Sequence, residues 1–573
     1  MSRPRRQGRT TGDADPSRRP AARLPRQAGL LACAIGLAVV PAAVRSQDQA
    51  PSPLQGQAQA PTQPPPSQPP SPPQSQPQQP QQPQQPQNLA QPPQTRPLNL
   101  SINARLAATS NGGLDPSGME QADVITSLRP ELTAVHQGPN FSFDAKAAAT
   151  FLDYANGTQP NKVLPDLHGS LKSTLIDQWL RVDASAYVRN VEADPFGVRA
   201  DDLTGSNSRV ESGFLVAPTL ERQFGPQATL LAREEFSSTK DSTGDGTSLA
   251  STLTLLRFER KPTPLGMSAE VSRLVNNPSG DGTSYTLDTA RLRGTLIVAE
   301  DIQVGAIAGE DRSDYLLSKH TDALWGGSIS WTPGPRTHVG LELEHRYFGL
   351  SGSLSIAHRT PFMAIDIELG RQPVTSASSF GTLAQGTDIR NFLDAILTTR
   401  YPDPAVRSEL VNGIVSSRGL TAQTAGAVNI IGDYPQLNTS AQASWTVFSP
   451  LNTLSFTAYT VVVRALGHGD DPLAGVAAEV ADNRQRGANF QWQHRLSPTL
   501  SAGVLAGWTR YEGLGASVGQ VSSEQDYRAS VMEQLSGKSQ LSIALQWNRF
   551  TTNAVGEHSF DATLALIGLT HFF

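Results

Sequence analysis

The chain has 573 residues, a net charge of −5 and a single cysteine. The mildly acidic balance argues against an electrostatic nucleic-acid binder, and one cysteine excludes a disulfide framework. Apolar residues make up 38% of the chain but are dispersed, and from position 47 onward no apolar run is long enough for a spanning helix.

The chain opens with a basic leader, Arg3, Arg5, Arg6, Arg18, Arg19, Arg23 and Arg26, followed by an apolar run from Ala28 to Val40 and by Pro41-Ala42-Ala43. Residues 1–46 read as a secretory signal peptide, with small residues for cleavage after Ala43 or Ser46. Cys33 lies inside the apolar run, not after it, which argues against a lipoprotein box; cleavage would leave a mature chain without cysteine. Residues 47–97 are Pro/Gln-rich, a composition that buries no core and reads as a disordered, extended spacer.

From residue 98 to 573 the pattern is strand after strand. Segments with period-two character, or of strand length between turn signals, are 99–109, 122–135, 141–152, 166–176, 178–191, 208–221 and 226–237. They continue as 248–260, 265–275, 285–298, 301–310, 321–332, 336–348, 353–359 and 361–371. After an interruption they resume as 438–448, 452–464, 485–496, 499–511, 524–535, 539–550 and 557–573. Trp331-Thr332-Pro333-Gly334-Pro335-Arg336 shows the repeated unit, an aromatic residue, a proline turn and a new strand; Trp445 to Pro450 and Trp492 to Pro498 repeat it.

Short turns such as Gly138-Pro139-Asn140 alternate with longer Gly/Asp/Ser-rich links such as 155–165 and 192–207. This alternation predicts an all-β fold, a transmembrane up-and-down antiparallel barrel of about 22 strands (20–24), with both termini on the periplasmic side of the cell outer membrane. In lipid only a closed sheet satisfies every backbone group. The faces divide accordingly: Ala290, Leu292, Leu296 and Val298 oppose Thr289, Arg291 and Arg293. Met363, Ile365, Ile367 and Leu369 oppose Asp366 and Glu368, and Leu541, Ile543, Leu545 and Trp547 oppose Ser542, Gln546 and Asn548. Parity alone leaves open which face points outward. Trp325, Trp331, Trp445, Trp492, Trp508 and Trp547 are either interfacial anchors or ordinary core residues.

The longest link, 372–439, holds two helical stretches, Asp388 to Thr399 and Pro404 to Val415. It either enters the lumen as a constriction or forms an external cap. Arg291, Arg293, Glu342, Glu344, Arg346, Asp366 and Glu368 are candidate lumen-lining residues that would steer a polar solute or pair with each other. Asp245 to Ser248 and Asp281 to Ser284 repeat Asp-Gly-Thr-Ser, which reads as turn chemistry. Gly515-Ala516-Ser517-Val518-Gly519 matches a nucleophile elbow, but it lies between two strands, where that motif requires strand then helix. No catalytic, cofactor or metal site is expected, and the reading is of a non-enzyme.

The stretch Trp331 to Thr337, then Glu342 to Gly349 and Ala357 to Thr360, resembles the PEP-CTERM system-associated outer-membrane β-barrel family. Asp123 to Thr126 and Leu128 to Leu132 resemble its opening strand, and Tyr401 to Arg407 its insertion. The resemblance implies a barrel encoded beside exosortase and exopolysaccharide genes, and carries no biochemical activity with it. The last strand, with Gly568, His571 and Phe573, resembles the signal read by barrel-insertion machinery, although His571 stands where an aromatic or apolar residue is usual. The partners implied are outer-membrane lipid, that machinery and polysaccharide-export components, in a transport or export role; a closed barrel recognising surface glycan is the alternative.

Overall fold

The computed structural model describes residues 98–573, apart from 178, 195, 199–206, 243–247, 280–283, 316–317, 376, 378–387, 423–425, 428–434 and 467–481. The signal-peptide and linker readings, most of both Asp-Gly-Thr-Ser repeats, and parts of the long link lie outside the described residues.

The chain forms β1 (Leu98–Thr109), β2 (Asp123–Gln137), β3 (Phe141–Tyr154), β4 (Lys162–Ile176), β5 (Leu180–Glu192), β6 (Ser208–Phe224) and β7 (Ala228–Asp241). It continues through β8 (Ser248–Arg260), β9 (Leu265–Pro278), β10 (Tyr285–Ala299), β11 (Ile302–Tyr315), β12 (Ser318–Gly334), β13 (Thr337–Arg346), β14 (Gly349–Arg359) and β15 (Met363–Val374). Two helices follow, α1 (Ile389–Leu397) and α2 (Pro404–Arg418). The wall is completed by β16 (Gln436–Phe448), β17 (Asn452–Ala465), β18 (Asn483–Arg495), β19 (Leu500–Gly513), β20 (Val521–Ser536), β21 (Ser539–Thr552) and β22 (Phe560–Phe572).

Each strand pairs antiparallel with its neighbours in sequence, and β1 pairs with β22 from Ser101 opposite Phe572 to Thr109 opposite Leu564. The 22-stranded sheet is therefore closed and has no edge, which removes the row of unpaired amides and carbonyls that an open sheet exposes. One mouth, which also holds Leu98 and Phe573, is made of ten turns of two to four residues. This turn mouth is opposed by a loop mouth with links as long as 375–435.

Two links at the loop mouth depart from the expected alternation. β11 and β12 extend until only 316–317 separate them, and 347–348 alone separate β13 from β14. Residues 311–315 and 318–320 are polar and read as a link, yet their backbones pair fully, Asp311 opposite Asp322 and Ser313 opposite His320. A ladder above the apolar zone needs no apolar side chains, so the sequence pattern ends before the strand does. The long link likewise shortens from 372–439 to 375–435, because Gln372 and Pro373 pair opposite Asn438 and Leu437.

The outer wall is apolar. Leu128, Phe151, Phe214, Phe236, Leu256, Val271, Leu292, Ile329, Leu343, Leu369, Phe456, Val504, Ile543 and Ile567 are all exposed. Their sequence neighbours Ser127, Thr150, Ser237, Ser455 and Thr457 are buried inside, as is Gln546 beside exposed Leu545. The period-two register thus places the oily set outside, the reverse of a water-soluble barrel. Trp325, Trp331, Trp445, Trp492 and Trp508 are exposed on this wall, and Trp547 stacks on exposed Tyr527 with ring centroids 5.5 Å apart. The core-tryptophan reading is therefore set aside in favour of outward anchors. The indoles of Trp331 and Trp492, near the turn mouth, donate to Asp301 at 3.0 Å and Asn452 at 3.1 Å, the polar-tip arrangement of an interfacial aromatic residue.

At the seam the chain end is tied in. The Phe573 amide donates to the Leu100 carbonyl at 3.0 Å, and His571 Nδ1 lies 2.9 Å from Ser539 Oγ. Gly568 lies on the inner face, where an added Cβ would approach Ser542 Oγ to 2.8 Å.

Candidate functional site

The lumen is the site, and its contents decide what it can do. α1 starts at Asp388, whose carboxylate accepts from the Arg390 amide at 2.9 Å. α2 starts at Asp403, which accepts from Ala405 N at 2.9 Å, with Pro404 in the first turn, and ends at Gly419 in the left-handed region (φ 64°). On α1, Ile389, Leu393 and Leu397 pack with Val411 and Leu420 from α2 and its cap. Arg407 locks the pair, donating from Nε to Asp394 Oδ1 at 2.6 Å and from Nη1 to the Tyr401 carbonyl at 2.9 Å.

The link leaves the wall at the loop mouth, yet its helices lie at the turn mouth. Near its start, Ala377 N donates to Ser251 Oγ on β8 at 2.9 Å, close to the loop end of the wall. Further along, Phe392 and Ile396 pack on Ala364, the second residue of β15, and on Phe448, the last of β16. Ala364 faces inward, opposite in parity to exposed Leu369. The Arg359 guanidinium donates to the Ala395 carbonyl at 3.3 Å, and Gln540 of β21 donates to the Ser416 carbonyl at 3.1 Å. The described parts of the insertion therefore contact the inner wall near both mouths, and the external-cap reading does not hold for the helix pair. Helix pair and wall meet along the inner faces of β15 to β21.

Arg418, the last residue of α2, fastens this pair. Nη1 donates to the Ser449 carbonyl at 3.1 Å and to Thr453 Oγ1 at 2.9 Å, and Nη2 donates to the Pro450 carbonyl at 2.9 Å. Its guanidinium carbon stands 4.7 Å from the Phe448 ring centroid. Ser501 of β19 donates to the Arg418 carbonyl at 3.3 Å. Among the described residues no carboxylate lies within ion-pairing distance of it. Burial, and secondarily the Arg495 charge, push the guanidinium down to about 10, so it is still cationic at neutral pH. The sequence shows only a basic residue at a helix C-terminus, where it would ordinarily complement the helix dipole.

The wall itself has two characters. From β2 to β13 the inner face carries arginine–carboxylate pairs. Arg129 and Lys146 hold Asp166 at 2.6 and 2.8 Å, and Arg233 spans Asp183 and Glu235 at 3.2 and 3.1 Å. Five of the seven predicted lumen residues join this set: Arg291 pairs with Glu344 at 2.7 Å, Arg293 with Glu342, and Arg346 grips Asp311 through Nε and Nη2, both at 2.8 Å. Between them on β12, Gly326 lets the β13 backbone approach closely, since a Cβ there would come within 2.1 Å of the Leu343 carbonyl oxygen. Asp366 and Glu368 also face inward, but on β15, separated from the set by the serines of β14. Asp311, wholly buried, went unrecognised because it lies in the stretch read as a link. Between β16 and β19 the inner face is instead neutral apart from Arg495 at the turn end, with Ser444, Thr446, Thr457, Gln485, Gln491 and Gln493.

Near the loop mouth the seam side is filled as well. Leu114 and Val198 from loops pack on Ile125, Leu152, Tyr154, Phe550, Phe560 and Leu564 of the wall. Gly515 to Ser517 form a short 3-10 turn between β19 and β20, so the nucleophile-elbow match lacks its helix. Among the described residues no cluster of three or more His, Cys, Asp or Glu is placed to hold a metal.

No family model matches the sequence, and comparison with curated proteins finds no match. Among solved structures the chain is similar to the siderophore receptor PirA from Pseudomonas aeruginosa (10% identity, 84% of this chain and 80% of that one, TM-score 0.40). It is similar also to the FrpB iron transporter from Neisseria meningitidis (9% identity, 83% and 82% covered, TM-score 0.45). A third is OccK2 from Pseudomonas aeruginosa in complex with glucuronate (10% identity, 83% and 98% covered, TM-score 0.31). The barrel assignment stands on the strand pairing of this chain and not on these likenesses.

Proposed function

We propose that this protein is an outer-membrane barrel for transport or export whose lumen is gated at the turn mouth by the α1–α2 pair. The oily outer wall supports residence in a bilayer, and the wet, charged inner wall supports a polar cargo. The observation that carries the reading is the fastening of Arg418 to Ser449, Pro450 and Thr453, three polar contacts from a plug to the rim it closes. The helix pair packs as a unit of its own, and we assign it an open position beside this closed one. In the cell the turn mouth would face the periplasm, as short turns do in bacterial barrels. The cargo we assign is polysaccharide-related, in service of a PEP-CTERM and exopolysaccharide surface system, with the barrel-insertion machinery as assembly partner.

Planar-bilayer recordings with and without residues 389–420 test this. Removal should convert small or rare conductances into a large, steady one; no conductance in either form would sink the transport role. The packed seam under the loop mouth favours one second reading, a closed barrel that recognises glycan through its loops. Glycan capture by intact cells, lost on loop deletion while conductance stays absent, would establish that reading instead.

A further inference from the structure

The outer wall carries one feature that transport does not use. On β17, β18 and β19, just short of the loop mouth, Arg464, Arg484, Arg486 and Arg510 all point outward, on the same parity as exposed Phe456, Trp492 and Trp508. Three of them crowd a single carboxylate: Arg510 Nε lies 2.9 Å from Glu512 Oε1, Arg486 Nη1 3.8 Å from the same oxygen, and Arg484 Nη1 3.5 Å from Oε2. Among the described residues Asp482 is the only other acid facing them, and it accepts from the Ala465 amide at 2.7 Å. One carboxylate cannot saturate three guanidinium forks, each with five donors. The side chains of Arg486 and Arg510 remain more than 40% exposed, so their remaining donors are turned outward. Elsewhere on this rim the signs alternate, as in Glu310, Arg312, Asp314 and Lys319 on β11 and β12.

The position of the cluster selects its ligand. Trp508 precedes Arg510 by two residues on the same face, which at the strand rise is about 7 Å. Tyr527 and Trp547 stack on the next two strands at the level of the same aromatic band. Aromatic residues mark the boundary of the hydrocarbon, so the arginines lie at headgroup depth, not in the bulk solvent above. Planar, bidentate guanidinium donors match the geometry of phosphate, an anion of lipid headgroups.

We propose that this arginine cluster is a binding site for the headgroup phosphates of a phosphorylated lipid in the leaflet at the loop mouth. The proposal rests on the outer-membrane reading given above. The test uses the purified full chain, challenged with a phosphorylated lipid, with the same lipid stripped of phosphate, and with inorganic phosphate alone. Native mass spectrometry and thermal shift are the readouts. The account expects retention of the phosphorylated lipid only, with affinity falling at least tenfold in Arg484→Gln/Arg486→Gln/Arg510→Gln and unchanged in Arg312→Gln.

Should the triple variant fail to fold, Glu512→Gln serves in its place: it removes the competing carboxylate and must tighten binding. Equal retention of the two lipids, or an unaltered triple variant, overturns the proposal. An equal shift from inorganic phosphate alone overturns the lipid assignment. A barrel that embeds in bilayers without lipid preference refutes only this site, whereas a barrel that embeds in none refutes the membrane reading beneath it.

Discussion

Replacing Arg418 with methionine isolates the plug latch. Methionine keeps the aliphatic stem against Phe448 and removes all three donors to Ser449, Pro450 and Thr453. Hydrogen bonds from a charged donor contribute about 1.5–3 kcal/mol each, so the gross loss lies near 4–9 kcal/mol. Against it stands the desolvation of a buried cation with no carboxylate partner, several kcal/mol that the variant recovers. The two turn carbonyls, at the mouth, regain water when the arginine leaves. A net loosening of about 2 kcal/mol remains, roughly a 30-fold shift toward the detached plug at 1.4 kcal/mol per tenfold. Single-channel recording reads this as open probability, and limited proteolysis reads it as faster cleavage within 404–420. Arg418→Lys, which keeps the charge but reaches fewer acceptors, should fall between the two. The barrel wall should be unaffected, so heat-modifiable migration on gels stays as in the parent. Unchanged open probability together with unchanged proteolysis would refute the latch.

Three further outcomes follow from the same geometry. Ile543→Arg, on the oily face in the body of β21, should cost about 2–4 kcal/mol in urea unfolding from lipid vesicles, while Gln546→Arg on the inner face costs much less; equal costs would contradict the assignment of faces. Asp311→Ala strands Arg346 and should destabilise by about 3–5 kcal/mol, with most of the loss recovered in Asp311→Ala/Arg346→Met, as measured by the unfolding midpoint. Burial, and then Asp194, push the Glu557 carboxyl up from its ordinary value, with His558 opposing. A raised folded value means that the folded loop holds its proton more tightly, so its protection is full below the ordinary carboxylate range and is lost as pH rises through the folded value. Hydrogen exchange over 553–559 between pH 4 and 7 should show that loss, and Glu557→Gln should abolish it.

The strands were legible because alternation survives wherever one face meets lipid and the other water. Leu541, Ile543, Leu545 and Trp547 could be set apart from Ser542, Gln546 and Asn548 by parity alone, and the proline turns fixed where each hairpin reverses. The helices were legible as the stretches Asp388 to Thr399 and Pro404 to Val415, the first from its stripe of Ile389, Phe392, Leu393 and Ile396. What that stripe packs against was not, because an apolar face states that it is covered and not by what. The partners, Ala364 and Phe448, lie on strands whose sequences show no mark of a plug. Strand ends beyond the lipid were lost for a related reason: Asp311 to Tyr315 pair through their backbones, and their polar side chains leave no period to read. The arginine cluster was hidden by the same habit, since outward residues near the loop mouth cease to be apolar just where the wall leaves the hydrocarbon.

The central claim is that oily side chains cover the outside of the closed wall. Tryptophan quenching by brominated lipids tests it most directly, with the purified protein reconstituted in vesicles. Trp325, Trp331, Trp445, Trp492 and Trp508 are exposed on that wall, so the account predicts strong, depth-dependent quenching. Emission indifferent to bromine, from a protein that stays monomeric in water without detergent, would contradict it.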